Sequence, residues 1–209
     1  RAQGVPVEVL GQRSEVRRVF VHPSGKVQEE VAAAPVRLRD AKASETQGWR
    51  AIDTTLVVDG GGVRARAVPG AVTLEGAGGD SPIAVADAAG AGVQLQLPGV
   101  RLPKPVVEGS TATYPEVFTG VDVRVEVRPV GFELVWVVKD KKAVSELVRR
   151  FGKAGAVTLP TMVSATGADV VAADDGVQVR GAKGKALGHF APPMMWDAGT
   201  RTFSRITSQ

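Results

Sequence analysis

Several stretches hold residue types that could do chemistry. Gly60-Gly61-Gly62-Val63-Arg64-Ala65 follows an apolar run and fits G-x-G-x-x-A loosely. A dinucleotide site needs a helix there, so that its N-terminus faces the pyrophosphate. An alternating Val/Arg/Ala run follows instead, so the glycines read as a hairpin turn. Gly79-Asp80-Ser81 offers a serine, but a nucleophilic serine needs a histidine base held by a third group. The two histidines are His22 and His189, and neither carries an aspartate three residues before it. Asp174-Asp175-Gly176 could contribute to calcium binding, yet a hard cation takes six or more oxygens and no D-x-D-x-D spacing is present. It reads as a β-turn. Asp122, Glu126 and Glu133 could act as acid and base, but on an alternating strand they form the solvated face. With no cysteine, disulfides and thiolate metal sites are excluded. No catalytic, cofactor-binding or metal-ligating residue emerges.

What remains is charge and aromatic surface. Lys139, Lys141, Lys142, Arg149, Arg150 and Lys153 gather against Asp140 and Glu146, and this local excess matches the +4 of the whole chain. Such a patch suits nucleic acid or an anionic wall polymer. Phe151 is its one interleaved aromatic, which leaves base stacking little to work with, so no specific nucleic-acid partner is expected. The simpler reading is a solvated basic face. Trp49 and Trp196 are the candidate aromatics for a sugar platform, whereas Trp136 lies in an apolar run.

These residues must be positioned by elements, and the patterning names them. Val121, Val123, Val125 and Val127 alternate without a break against Asp122, Arg124, Glu126 and Arg128. That is the period of a strand with one buried and one wet face. Pro129-Val130-Gly131 interrupts it, and 132–138 follows as a second β-rich run. Together they predict an antiparallel hairpin at the centre of the core. Residues 16–21 and 26–31, joined by His22-Pro23-Ser24-Gly25, predict a second hairpin. Short strands are also expected over 5–10, 35–39, 49–58, 63–68, 71–75, 83–86, 93–97, 157–163, 169–172, 177–180 and 186–190. Val144, Leu147, Val148 and Phe151 fall at i, i+3, i+4 and i+7, a helical stripe, with a helix turn followed by strand as the competing reading.

Composition agrees. The 209 residues include 25 glycines, 13 prolines and only 5% aromatics, with Val and Ala carrying the apolar content. That favours many short strands over helices. The expected fold class is all-β: an antiparallel β-sandwich or supersandwich of short strands with at most one short helix. The expected division is an N-terminal β half over 1–97, a Pro-rich crossing over 98–109, a C-terminal β half over 110–198 and a polar tail or linker over 199–209. The expected core is Val19, Leu38, Trp49, Ile52, Leu56, Leu95, Val121, Val123, Val125, Phe132, Leu134, Trp136 and Val138. Val135 and Val137 would then face a second layer or a partner. The apolar run 134–138 is far short of the roughly 20 residues a membrane helix needs, so no membrane span is expected. The chain begins at Arg1, not Met, so a removed signal peptide or a longer parent is expected.

Four segments carry a resemblance. Tyr114-Pro115-Glu116-Val117-Phe118-Thr119-Gly120-Val121-Asp122, Gly131-Phe132-Glu133 and Val137-Val138-Lys139-Asp140 together resemble the "YP-x-V-x-x-GVD … GFE … VVKD" stretch of N-terminal extracellular regions in large secreted actinobacterial proteins. Many of those carry Rhs/YD-repeat arrays, and some are polymorphic toxins. Residues 49–56 resemble that family's "W-x-x-IDTTL" segment, Leu102-Pro103-Lys104-Pro105 its "LPKP" link, and 192–197 its closing "P-x-MWD" segment. A more distant resemblance runs to the β-rich domain before bacterial beta-propeller repeats. The matched motifs span about residues 10–198 and are structural. The resemblance implies a secreted, non-enzymatic β module without cofactors, packed against other domains of the same parent chain. Neither a repeat array nor a toxin domain is present in these residues.

Three functions are therefore weighed. The first is a structural or assembly module of a large secreted protein. The second is a binding module for cell-wall polymer or carbohydrate, using Trp49, Trp196 and the basic patch. The third, a hydrolase, ranks last because no nucleophile, base and orienting group can be named together.

Overall fold

The computed structural model describes residues 4–43, 47–80, 82–88, 90–153, 156–196 and 203–205. The valine alternation forms the strand Val121–Arg128, with Val121, Val123, Val125 and Val127 fully buried. Pro129-Val130 turns the chain, and Gly131–Val138 returns antiparallel in register from Arg128↔Gly131 to Val121↔Val138. On the other side lies Thr111–Phe118. Pro115 has no N–H for a ladder, and proline inside a sheet belongs at irregularities. Here the pairing breaks between Tyr114 and Phe118, where Glu116 takes φ 50°. Val106–Glu108 completes a four-stranded sheet in the order 106–108, 111–118, 121–128, 131–138.

A six-stranded antiparallel sheet packs with it. From one edge its strands are Met162–Thr166, Ala91–Gln96, Ala84–Ala88, Thr73–Glu75, Gly62–Ala67 and Asp53–Asp59. Leu56, Val63, Leu74 and Leu95 from this sheet, with Ile83 just before its strand Ala84–Ala88, join Ala112, Tyr114, Phe118 and the four valines in one hydrophobic core. The fold is thus all-β, built as a sandwich, with one α-helix among the described residues. Along one side the sheets are tied by the Leu56 N–H, which donates to the Gly109 carbonyl at 2.8 Å. Smaller antiparallel sheets flank the sandwich. Val7–Glu8, Arg17–Val21 and Val27–Val31 form one. Asp169–Ala173, Gly176–Arg180 and Ala186–Phe190 form another, around the tight turn at Asp174-Asp175. Two-stranded pairs join Arg37–Arg39 to Trp49–Ala51 and Met194–Trp196 to Phe203–Arg205.

The helix is Lys141–Phe151, so 141–151 is helix and not a turn followed by strand. Asp140 caps it, its carboxylate accepting from the Ala143 N–H at 2.8 Å. Its buried face differs from the expected stripe. Ala143 and Leu147 are buried and Phe151 is half-buried, while Val144 and Val148 are exposed. The reason is the close approach of Ala143 to the turn at Gly120: a Cβ built on Gly120 would stand 2.9 Å from the Ala143 Cβ.

The expected core is displaced in three places. Phe132, Leu134 and Trp136 are only half-buried and Val138 is exposed, because Gly131–Val138 is the outermost strand of its sheet. The centre lies one strand earlier, at Val121–Arg128. Leu38 is half-buried and its neighbour Arg37 is buried, reversing the expected phase of that strand. The Arg37 guanidinium donates to the carbonyls of Ser14 and Arg17 at 2.7 and 3.0 Å, so its charge is satisfied by backbone. Ile52, also half-buried, interrupts the expected strand 49–58, which splits into one partner for Arg37–Arg39 and one for Gly62–Ala67. The segment 98–109 crosses between sheets, but it does not separate two cores. Val100 and Leu102 are buried in the shared core, and Met162–Thr166 pairs with Ala91–Gln96 from the other side of the crossing. Ser81 and Asp197 lie outside the described residues, as does the tail 199–209 apart from 203–205.

Candidate functional site

The basic stretch is built around the helix and the turn before Val121. Lys139 closes the outer end of the hairpin. Its Nζ lies 2.5 Å from Glu116 Oε1 and 2.7 Å from Asp122 Oδ1. The same carboxylates hold the backbone. The Gly120 N–H donates to Glu116 Oε2 and the Glu116 N–H to Asp122 Oδ1, each at 2.8 Å. The pairing shifts all three groups. The Asp122 and Glu116 carboxylates raise the pKa of the Lys139 ammonium. Lys139 and the Gly120 N–H hold the Glu116 carboxyl below its ordinary value. Burial opposes ionisation at Asp122, but the Lys139 ammonium and the Glu116 N–H outweigh it and lower that pKa too. Lys139 is therefore a structural cation that ties the bulge at Glu116.

Arg149 and Arg150 are likewise engaged. Both bind Glu146, Arg149 through two contacts at 2.8 and 3.0 Å. These guanidiniums hold the Glu146 carboxyl down to about 2. The Arg150 guanidinium also lies 4.7 Å over the Phe118 ring, which stacks on Trp136 and tilts against Phe151. Lys141, Lys142 and Lys153 form no ion pair among the described residues. Lys141 and Lys142 occupy the first turn of the helix, the end where cations oppose the macrodipole.

The two candidate tryptophans have opposite settings. Trp49 is 6% exposed, and the Arg39 guanidinium stands 3.8 Å over its ring. A ring so covered is no sugar platform, and its place in the expected core is the reading that holds. Trp196 is 47% exposed, on a ribbon where Met194 and Met195 are exposed as well. The structure thus brings Lys139, Arg149 and Arg150 together with the helix, but leaves Trp49 and Trp196 on separate strand pairs.

The histidines stand apart. His22 Nε2 lies 3.0 Å from Gln28 Oε1 on the N-terminal hairpin. His189 Nε2 lies 2.9 Å from the Asp175 carbonyl across the C-terminal turn. Among the described residues no group of three or more His, Asp or Glu could hold a metal ion, and no helix is long and apolar enough to cross a membrane.

One surface was not legible from composition. Val7, Val21 and Val27 lie in a cross-strand row on the N-terminal sheet, at 60, 38 and 62% exposure. Val19, two residues back on the same face, is buried. Arg17–Val21 and Val27–Val31 do not alternate cleanly between apolar and polar residues, so the sequence carries no period that would mark this row.

No family model, curated protein or solved structure matches this chain.

Proposed function

We propose that this chain is a non-catalytic structural module of a large secreted protein of the Rhs/YD-repeat type, packing against other domains of its parent. The observation that carries this reading is the exposed valine row Val7, Val21 and Val27. A cross-strand apolar row beside a buried valine is the kind of surface that marks an interaction site. His22 is bonded to Gln28 and His189 to the Asp175 carbonyl, so neither imidazole is engaged with a serine or threonine hydroxyl among the described residues. The resemblance of 114–140, 49–56, 102–105 and 192–197 to secreted repeat proteins supplies the class and the extracellular location. The test is deletion and reconstitution. Removing 1–209 from the parent should impair its assembly, and the separately expressed chain should bind the remainder unless Val21 and Val27 are replaced by Lys. Unchanged assembly together with no binding would reject the reading.

A second reading is a binding module for anionic cell-wall polymer. Lys141, Lys142 and Lys153, unpaired among the described residues, and the exposed Trp196 favour it. Retention on purified wall that moderate salt abolishes is the expected result for the lysines. Salt-insensitive retention lost in Trp196→Ala would place the contact on the tryptophan.

A further inference from the structure

We propose that the strand Gly131–Val138 is a self-association edge, on which the same strand of a second copy adds antiparallel about a twofold axis at Val135. This inference does not rest on the function proposed above.

Gly131–Val138 ends the four-stranded sheet. A two-residue hairpin closes on a hydrogen-bonded pair, here Arg128↔Gly131, so odd-numbered residues of this strand bond inward. The Lys139 N–H, which donates to the Gly120 carbonyl at 2.9 Å, confirms that parity. The backbone groups of Phe132, Leu134, Trp136 and Val138 therefore point away from the sheet. Among the described residues none of them is paired.

Open edges are normally blunted by shortness, proline, charge or a bulge. The opposite edge, Val106–Glu108, is three residues long and follows Pro103 and Pro105. Gly131–Val138 has neither shortness, proline nor a bulge. It is eight residues long, paired without register shift, and Glu133 is its one charge. Its core-facing row of Phe132, Leu134 and Trp136 is only half-covered, and Val138 is exposed.

The strand is complementary to itself. With the twofold at Val135, Leu134 faces Trp136 of the second copy and Phe132 faces Val138. All four are outward-bonding residues, so donors and acceptors meet in exchanging pairs. Val135 meets its own counterpart at a non-hydrogen-bonded position. Glu133 faces Val137 and stands diagonal to Lys139 of the second copy, so unlike charges approach and no like charges oppose. The two four-stranded sheets become one continuous sheet, and the half-covered apolar rows extend one another.

The chain has no cysteine, which makes the test clean. Sedimentation of the purified chain should give a concentration-dependent species of twice 21.7 kDa. Val135→Cys should form an intermolecular disulfide under mild oxidation. Val130→Cys, in the neighbouring exposed turn, should not. Val135→Lys should shift the mass twofold downward. A monomer at every concentration overturns the proposal. Free hydrogen exchange at Leu134 and Trp136 would then mean an empty edge, and protected amides an occupant from the same polypeptide. A dimer that persists in Val135→Lys and never cross-links at Val135→Cys would also overturn it.

Discussion

The Tyr114 hydroxyl donates to the Glu75 carbonyl at 2.6 Å, bridging the two sheets of the sandwich. Tyr114 is fully buried. Its bond is a side chain of one sheet meeting the last residue of a strand in the other. Tyr114→Phe keeps the ring and orphans the carbonyl, and should cost about 1–2 kcal/mol in chemical denaturation. Burial and the nearby Glu75 carboxylate push the Tyr114 pKa well above its ordinary 10.0. It is the chain's one tyrosine, so ultraviolet titration reads it alone. The folded protein should show no phenolate near pH 10. Stability from this group is whole below the ordinary value and falls as pH rises above it, because the unfolded chain ionises first. Phenolate absorbance appearing near pH 10 without unfolding would contradict the burial.

Gly120 has φ +74°, and its missing Cβ leaves room for Ala143. Gly120→Ala meets both the backbone and the steric objection. We expect a loss of about 1–3 kcal/mol. Adding Ala143→Gly should recover part of it by relieving the contact. A neutral Gly120→Ala would mean that the helix does not seat on this turn.

The cap is a separable device. Asp140→Ala removes the acceptor of the Ala143 N–H and should destabilise by about 1 kcal/mol, with Asp140→Ser recovering most of the loss. Faster amide exchange should be confined to the first turn of Lys141–Phe151. An unchanged stability would show that the helix start is held by packing alone.

Acid should loosen the molecule wherever a carboxyl is held down, and two of those places can be tested together. The Arg13 guanidinium hydrogen-bonds Glu8 and holds its carboxyl below the ordinary 4.5, and Lys139 does the same for Glu116. A carboxyl with a lowered folded pKa stabilises fully above its unfolded value. That contribution disappears as pH falls through the folded value. Stability should therefore be flat from neutral pH to about pH 5 and decline below it. Glu8→Gln combined with Glu116→Gln should make that decline shallower, with Asp122 and Glu146 supplying the remainder. An identical acid profile in the double variant would remove these pairs from the account.

The strand pattern was readable because burial and alternation coincide. Val121, Val123, Val125 and Val127 show one period and one buried face. Other positions fail for stated reasons. Thr111–Phe118 hides its strand behind Pro115, whose bulge only the tertiary pairing reveals. Gly131–Val138 is more apolar than Val121–Arg128, yet it lies at the edge, and hydrophobicity does not encode strand order. Arg37 is buried because two carbonyls, twenty or more residues away in sequence, receive its guanidinium. The candidate site was partly legible. Four of the six cations of 139–153 lie on the helix, but the pairing of Lys139 with Glu116 and Asp122 depends on the bulge, and that of Arg149 and Arg150 with Glu146 on helical spacing. Trp49 could be read as core or platform, and the stacking of Arg39 decides for core.

The function proposed above makes this chain part of a longer exported polypeptide. An antibody raised against the chain, used to blot producing cells and their culture medium, tests it most directly. The account predicts a secreted band several times larger than 21.7 kDa. A band near 21.7 kDa would contradict it, because the module would then act alone.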